Sequence, residues 1–300
     1  MPKSATLAVP EVASTAAERD VSASVSASVS AEKGLPLRLG VLTEQIPPAL
    51  VDEAVADAGR RERRCRLLPA RAVVYFVLGL CLFSGADAAG PPGYRGVLRL
   101  LTGGLRQACG LRLPSSAALT RARQRLGAAP LQALFARVRG PLGEAGTPGV
   151  FAFGRRIVAW DGTGIDTADT AANAEAFGRA GTSHVGVAGH PQLRLLALIE
   201  CGTHAVLEAA FDGFHAATEQ ALARRVLGGL RPGMLLLADR NFPGHELWGL
   251  ALGTGADLAW RIKKNHVFVP VRRLADGSFL SVMGTPAENV RHGQARAAGR

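Results

Sequence analysis

The run MLLLA (234–238) restricts the fold more than any other segment, because it is apolar at every position and has no polar face to turn to water. A strand of that pattern belongs inside a sheet covered on both sides. It runs on into Asp239, Arg240 and Asn241, so MLLLADRNF (234–242) reads as a buried strand with a charged exit. Upstream, IVAWDGTG (157–164) is a second β-type apolar run, read as stopping at Asp161. LRLLALIECG (193–202) and AVLEAAFDG (205–213) read as two strands joined by the turn Gly202-Thr203-His204. TEQALARRVLGGL (218–230) reads as a helix, with Thr218 as N-cap and Arg231-Pro232-Gly233 as its stop. HELWGLALG (245–253) follows as a helix and ADLAWRIKKN (256–265) as a strand. The order β-β-β-α-β-α-β describes an α/β unit: a mixed sheet with helices packed on it.

Before residue 140 the period is helical. Pro47-Pro48 opens a helix over ALVDEAVADAGRRERRCR (49–66), and Leu68-Pro69 opens an apolar helix to Phe83, broken by Gly90-Pro91-Pro92-Gly93. A helix from Tyr94 ends near Gly110, Pro114-Ser115-Ser116 caps ALTRARQRLG, and Pro130 starts LQALFARVRG. Arg121, Arg123 and Arg125 on one of these helices fit a small DNA-binding module; solvated arginines on a plain bundle fit as well. The expected organisation is a disordered Ala/Ser-rich tail over 1–36, a helical domain over 37–140, and a mixed-sheet α/β core over 151–265.

Charge narrows the partners. Lys and Arg number 35 against 24 Asp and Glu, a formal net charge of +11, which favours a polyanion: nucleic acid first, an acidic membrane second. Aromatic residues are only 5%, too few for rows of bases stacked along a single strand. Cys65, Cys81, Cys109 and Cys201 form no C-x-x-C pair, against a disulfide scaffold or zinc knuckle and in favour of a cytoplasmic location; Cys201 reads as a small core hydrophobe. The apolar stretch Ala72–Gly85 falls short of the roughly 20 residues a bilayer span needs, and the N-terminus lacks a basic start before an apolar core.

Asp161 and Asp239 each close an apolar strand, and carboxyl ends of strands are where open α/β sheets build their sites. If those two strands are neighbours, both acids project at one edge and repel unless a divalent cation lies between them. Oxygen-only ligands suit Mg²⁺ or Mn²⁺ rather than zinc. Two such ions about 4 Å apart can activate water or a 3′-hydroxyl at a phosphodiester. Either Asp also fits a turn or cap, the common place of Asp-Gly and Asp-Arg-Asn.

The blocks IVAWDGTGIDTADTAANAEAFGR, LRLLALIECGTHAVLEAAF, LLLADRNFPG and AWRIKKN resemble the insertion sequence 4 family of bacterial transposases. RLLPARAVVYFVLGLCLFSGA resembles that family's N-terminal domain, and the likeness covers roughly residues 37–300. It implies an all-α N-terminal domain and a ribonuclease-H-like core of the DDE type, in which two Asp and one Glu hold two Mg²⁺ (or Mn²⁺) ions. Asp161 matches the first acid and Asp239 the second. The third is expected as a Glu in a Tyr-x₂-Arg-x₃-Glu-x₆-Lys helix beyond a β-rich insertion; Glu246, Asp257, Asp276 and Glu288 do not fit that pattern. Residues 266–300 are therefore expected to begin the insertion, with the chain cut before the catalytic helix. Double-stranded DNA, as element terminal repeats and target, is the implied partner, bound by a homodimer on paired ends.

Within that resemblance Arg261, Lys263, Lys264 and His266 are expected to form a phosphate-contacting strip, where a solvated strand edge is the plainer reading. Arg240 and Asn241 could orient a phosphate or hold the loop. Asp166 and Asp169 read as solvated loop acids without calcium-loop spacing. His184, His190, His204 and His215 are dispersed, Gly162-x-Gly164 lacks a third glycine, and Ala159 stands where a phosphatase motif would need its other acid. Trp248 and Trp260 read as core. The competing reading is a catalytically dead fragment that binds DNA or inhibits a full-length enzyme.

Overall fold

The computed structural model describes residues 39–64, 68–83, 93–109, 113–182, 186–263, 268 and 270–283. The 1–36 tail, the break at residues 90–92, His184, Lys264, His266, Glu288 and most of the expected insertion lie outside them. The chain divides into two compact units, one ending at Val138 and the other running from Arg139.

The first unit contains α1 (Leu39–Gln45), α2 (Pro48–Asp57), α3 (Ala70–Leu82), α4 (Tyr94–Cys109), α5 (Ser116–Leu126) and α6 (Ala129–Val138). Val51, Ala54 and Val55 of α2 lie one turn apart and are buried, as are Val73, Val74, Tyr75 and Phe76 of α3 and Leu119, Ala122 and Leu126 of α5. Ser115 caps α5, its hydroxyl accepting from the Ala118 N–H at 3.2 Å. The helix expected to reach Arg66 stops at Asp57 instead. Gly59 takes the left-handed conformation (φ 65°), the Arg60 N–H donates to the Val55 carbonyl and the Gly59 N–H to Ala56. That is the glycine-closed C-terminal motif, so Arg60–Arg64 form a loop rather than two more turns.

The second unit is a mixed sheet with helices packed on it. Its elements are β1 (Phe151–Ala152), β2 (Arg155–Asp166), α7 (Ala171–Phe177), β3 (Arg179–Thr182), β4 (Gly186–Glu200), β5 (Val206–Gly213), α8 (Glu219–Val226), β6 (Met234–Ala238), α9 (His245–Leu252) and β7 (Asp257–Trp260). A small hairpin, β8 (Arg272–Arg273) with β9 (Phe279–Leu280), stands apart from the sheet. The main sheet runs β3-β4-β2-β6-β7, with β5 also on β4 and β1 on β2. β2 is antiparallel to β4 and parallel to β6, which is parallel to β7. The expected strand and helix order therefore stands, with α7 and β3 inserted between β2 and β4. β6 lies between β2 and β7 with four of its five residues buried, as its apolar sequence requires. Val158, Leu196, Leu198, Leu222, Val226 and Leu236 are fully buried together in this core.

Two strand ends differ from expectation. β2 does not stop at Asp161 but continues to Asp166, because β4 keeps pairing with it through Asp166↔Gln192. Both acids are exposed: Asp169 lies in the loop after β2 and pairs with Arg179, whereas Asp166 is the last residue of β2 and accepts from Gln192 Nε2 at 2.6 Å. β7 ends at Trp260, so Arg261 and Lys263 lie beyond the strand. Among the described residues no helix is long and apolar enough to cross a membrane.

The β4–β5 turn closes on His204 in the left-handed region (φ 59°). A side chain on Gly202 would come within 2.5 Å of the Pro148 carbonyl and 2.6 Å of Val150. Gly202→Ala is expected to cost about 1–3 kcal/mol of stability in this unit. All three tryptophans lie here, at 160, 248 and 260, so their fluorescence during urea unfolding reads that loss.

Candidate functional site

The parallel ladder between β2 and β6 runs from Arg156↔Met234 to Ala159↔Leu237 and then ends. Asp161 and Asp239 are each two residues past that last pair, at the same level on adjacent parallel strands. β6 leaves the sheet there while β2 continues against β4 alone, with Asp161 opposite Ala197. Both acids are exposed. Asp161 makes no hydrogen bond or ion pair with a described residue. Asp239 Oδ1 accepts from the Asn241 N–H at 2.8 Å, so one oxygen serves the turn and the other is free of partners among the described residues.

Cations surround this edge without neutralising it. Arg240 follows Asp239, and the Arg261 N–H donates to the Ala238 carbonyl at 2.9 Å, which brings the exit of β7 beside the exit of β6. Arg240, Arg261 and Lys263 are exposed, and none pairs with an acid among the described residues. Arg240 and the Arg261 backbone thus lie beside the exit of β6, and Lys263 follows two residues after Arg261. Arg121, Arg123 and Arg125 belong to the other unit. There Arg123 stacks on Tyr94, 5.3 Å from its ring centre, and donates to its hydroxyl. Arg125 reaches the Leu68 carbonyl at 3.5 Å and Glu62 at 4.0 Å, which leaves Arg121 as the member of the three without a partner among the described residues.

One acid escaped the sequence reading. Glu219 opens α8 directly after the Thr218 cap, and its carboxylate lies 3.0 Å from where a Cβ on Gly162 would stand. The neighbouring Gln220 donates from Nε2 to the Asn241 carbonyl at 3.0 Å. The first turn of α8 thus touches both strand exits, and Glu219 adds negative charge beside Asp161. The signal was the Thr-Glu helix start, whose sequence position says only that it caps.

Behind the edge, Trp160 packs against Phe242 at 5.3 Å and Trp260 at 5.4 Å, and Trp248 meets Trp260 edge-on at 5.0 Å. The tryptophans are structural, as expected. The Trp160 and Trp260 indole nitrogens are buried without a hydrogen-bond partner. Trp160→Phe removes an orphaned donor, so it is expected to change stability by less than about 1 kcal/mol in urea unfolding, far below an ordinary core truncation.

Among the described residues no set of three or more His, Cys, Asp or Glu side chains is gathered to hold a metal. The edge offers a pair of carboxylates with no imidazole or thiolate donor in the set. Such a pair fits Mg²⁺ or Mn²⁺, since Mg²⁺ is commonly held by one or two carboxylates and completes its shell with water and substrate phosphate.

A family model described as the insertion element 4 transposase N-terminal region matches residues 36–136. Over 256 residues the chain is 28% identical to transposase InsG for insertion sequence element IS4 of Escherichia coli (strain K12), covering 81% of this chain and 53% of that protein. Over 138 residues it is 31% identical to the InsZ protein of the same strain, covering 46% of each. The chain thus spans about half the length of the curated relatives it matches. The helical unit matches the family's N-terminal model, and the longer alignment extends the likeness into the sheet unit. On these matches the chain is similar to insertion sequence 4 transposases, through the N-terminal model in its helical unit and through the longer alignment in its sheet unit.

Proposed function

We propose that the chain acts as a DNA transposase of an insertion sequence, with Asp161 and Asp239 as divalent-metal ligands in a ribonuclease-H-like core. The observation that carries this reading is their equal position two residues past the end of the parallel β2–β6 ladder, neither acid being ion-paired among the described residues. Mg²⁺ or Mn²⁺ bound there supplies charge stabilisation at a phosphodiester and a more acidic nucleophile. Arg240, Arg261 and Lys263, with Lys264 expected alongside, hold DNA phosphates beside the carboxylates. The Glu219 carboxylate beside Gly162 adds a third acid near this edge.

In the reaction a water oxygen bonds to phosphorus at the element end, and the displaced oxygen takes a proton to become a 3′-hydroxyl opposite a 5′-phosphate. That 3′-hydroxyl oxygen then bonds to a target phosphorus, its proton passing to the target 3′-oxygen that leaves. The helical unit contacts the ends, and a homodimer pairs two of them.

The test is incubation of the chain with duplexes taken from the chromosomal flanks of its coding sequence, with and without Mg²⁺, read on denaturing gels. Metal-dependent nicks at one fixed position are the expected result. Duplex binding without nicking would favour a chain that binds ends or inhibits a complete transposase. Neither binding nor nicking would overturn the proposal.

A further inference from the structure

The loop that α2 leaves behind carries four arginines in five residues: Arg60, Arg61, Arg63 and Arg64. All four are exposed, and none of their guanidinium groups makes a hydrogen bond or ion pair with a described residue. Elsewhere in this unit acids are matched to arginines, Asp52 to Arg71 and Asp57 to Arg137. Glu62, the one acid inside the run, is half-buried: its Oε2 accepts the Ala70 N–H at 3.1 Å, capping the first turn of α3, and its Oε1 lies 4.0 Å from Arg125.

The loop is held at its start and its middle. The Gly59 motif fixes its start, and the Glu62 cap fixes its middle to α3. Arg60 extends to the end of α5, where a guanidinium nitrogen lies 3.7 Å from the position a Cβ on Gly127 would take. Gly59, Arg60 and Arg61 share a pocket of about 240 Å³ with Ala122, Arg125 and Leu126 of α5. Arg61, Arg63 and Arg64 also line a larger pocket of about 840 Å³.

We infer that this loop is a phosphate-binding surface for duplex DNA, which rests on the DNA-transposase reading above. Guanidinium forks suit phosphate oxygens, and a loop fixed before binding loses less freedom on contact. A duplex fits better than a single strand, because the loop carries no aromatic side chain and Tyr94 is already covered by Arg123.

The test is fluorescence anisotropy of a labelled 40-base-pair duplex from the element flank, titrated with the full chain across 50–300 mM KCl. The R60Q/R61Q/R63Q/R64Q variant is expected to bind about 100-fold more weakly near 0.1 M salt. Its slope of log K against log salt should be shallower by about 3 to 4, the share of four phosphate contacts. R60K/R61K/R63K/R64K should keep most of the slope. R272Q/R273Q, which removes charge from the β8–β9 hairpin, should stay within about threefold of wild type. Circular dichroism melts establish that each variant is folded. A glutamine variant that is folded yet keeps the wild-type slope overturns this inference alone. A wild-type chain that binds no duplex overturns it together with the transposase reading.

Discussion

Glu200→Ala is expected to cost the sheet unit about 3–5 kcal/mol, the usual result of removing one partner from a buried ion pair. Glu200 is fully buried at the end of β4. Its carboxylate pairs with Arg156 of β2, accepts the Gly143 N–H at 2.8 Å and the Leu142 N–H at 3.3 Å, and takes the Thr203 hydroxyl. Three separate segments are thereby tied to one side chain: the lead-in to the sheet, β2, and the β4–β5 turn. Removing it leaves Arg156 and two N–H groups short of an acceptor, and truncating the side chain opens a gap beside Val150. Burial alone would raise the Glu200 pKa, but the hydrogen bonds from Thr203, Gly143 and Arg156 outweigh it and hold the carboxyl below its ordinary value. A lowered folded-state pKa contributes stability above the ordinary carboxylate pKa of about 4.3, and that contribution disappears as pH falls through the lowered value. Tryptophan fluorescence during acid unfolding reads both effects. Glu200→Gln should unfold with a weaker pH dependence than wild type in the acid range, and an unchanged profile would show that Glu200 carries no linkage.

Asp161→Asn and Asp239→Asn are each expected to reduce metal-dependent strand cleavage by on the order of 10²–10⁴-fold, the rate equivalent of several kcal/mol of charge stabilisation. Duplex binding should remain, because the arginine loop and the Arg240, Arg261 and Lys263 group are intact in both variants. Asp166→Asn is the matched control, since Asp166 is already bonded to Gln192 and lies seven positions beyond the last β2–β6 pair, Ala159↔Leu237. Cleavage by Asp161→Asn at the wild-type rate would remove that aspartate from the site. Loss of both cleavage and binding would point to a disturbed fold instead.

The strands that sequence made legible are those whose burial is written in apolar residues: β6, most of β4, and β5. β2 past Asp161 was not legible, because DGTGID is exposed and is held as a strand by pairing with β4 rather than by burial. Neither was the early end of α2, although Gly59 carried the signal: the charged run after it keeps a helical composition, and only the backbone closure decides. The aspartate pair could be read as two strand-end acids, yet their adjacency depended on β2 and β6 being neighbours, a fact of topology. Glu200 had no local mark, and the Thr218-Glu219 helix start marked only a cap. The partners of Glu200 lie up to 58 residues away, and Glu219 meets Gly162 from the other end of the β-β-β-α unit.

The most direct measurement is a Mn²⁺ titration of the full chain followed by electron paramagnetic resonance of the free ion, with wild type, Asp161→Asn, Asp239→Asn and Asp166→Asn side by side. Saturable binding by wild type and Asp166→Asn, weakened at least about tenfold in each of the other two, is the expected result for a shared carboxylate site. Wild-type binding that survives unchanged in Asp161→Asn and Asp239→Asn, or no saturable binding by the wild-type chain, would contradict a metal site at this sheet edge.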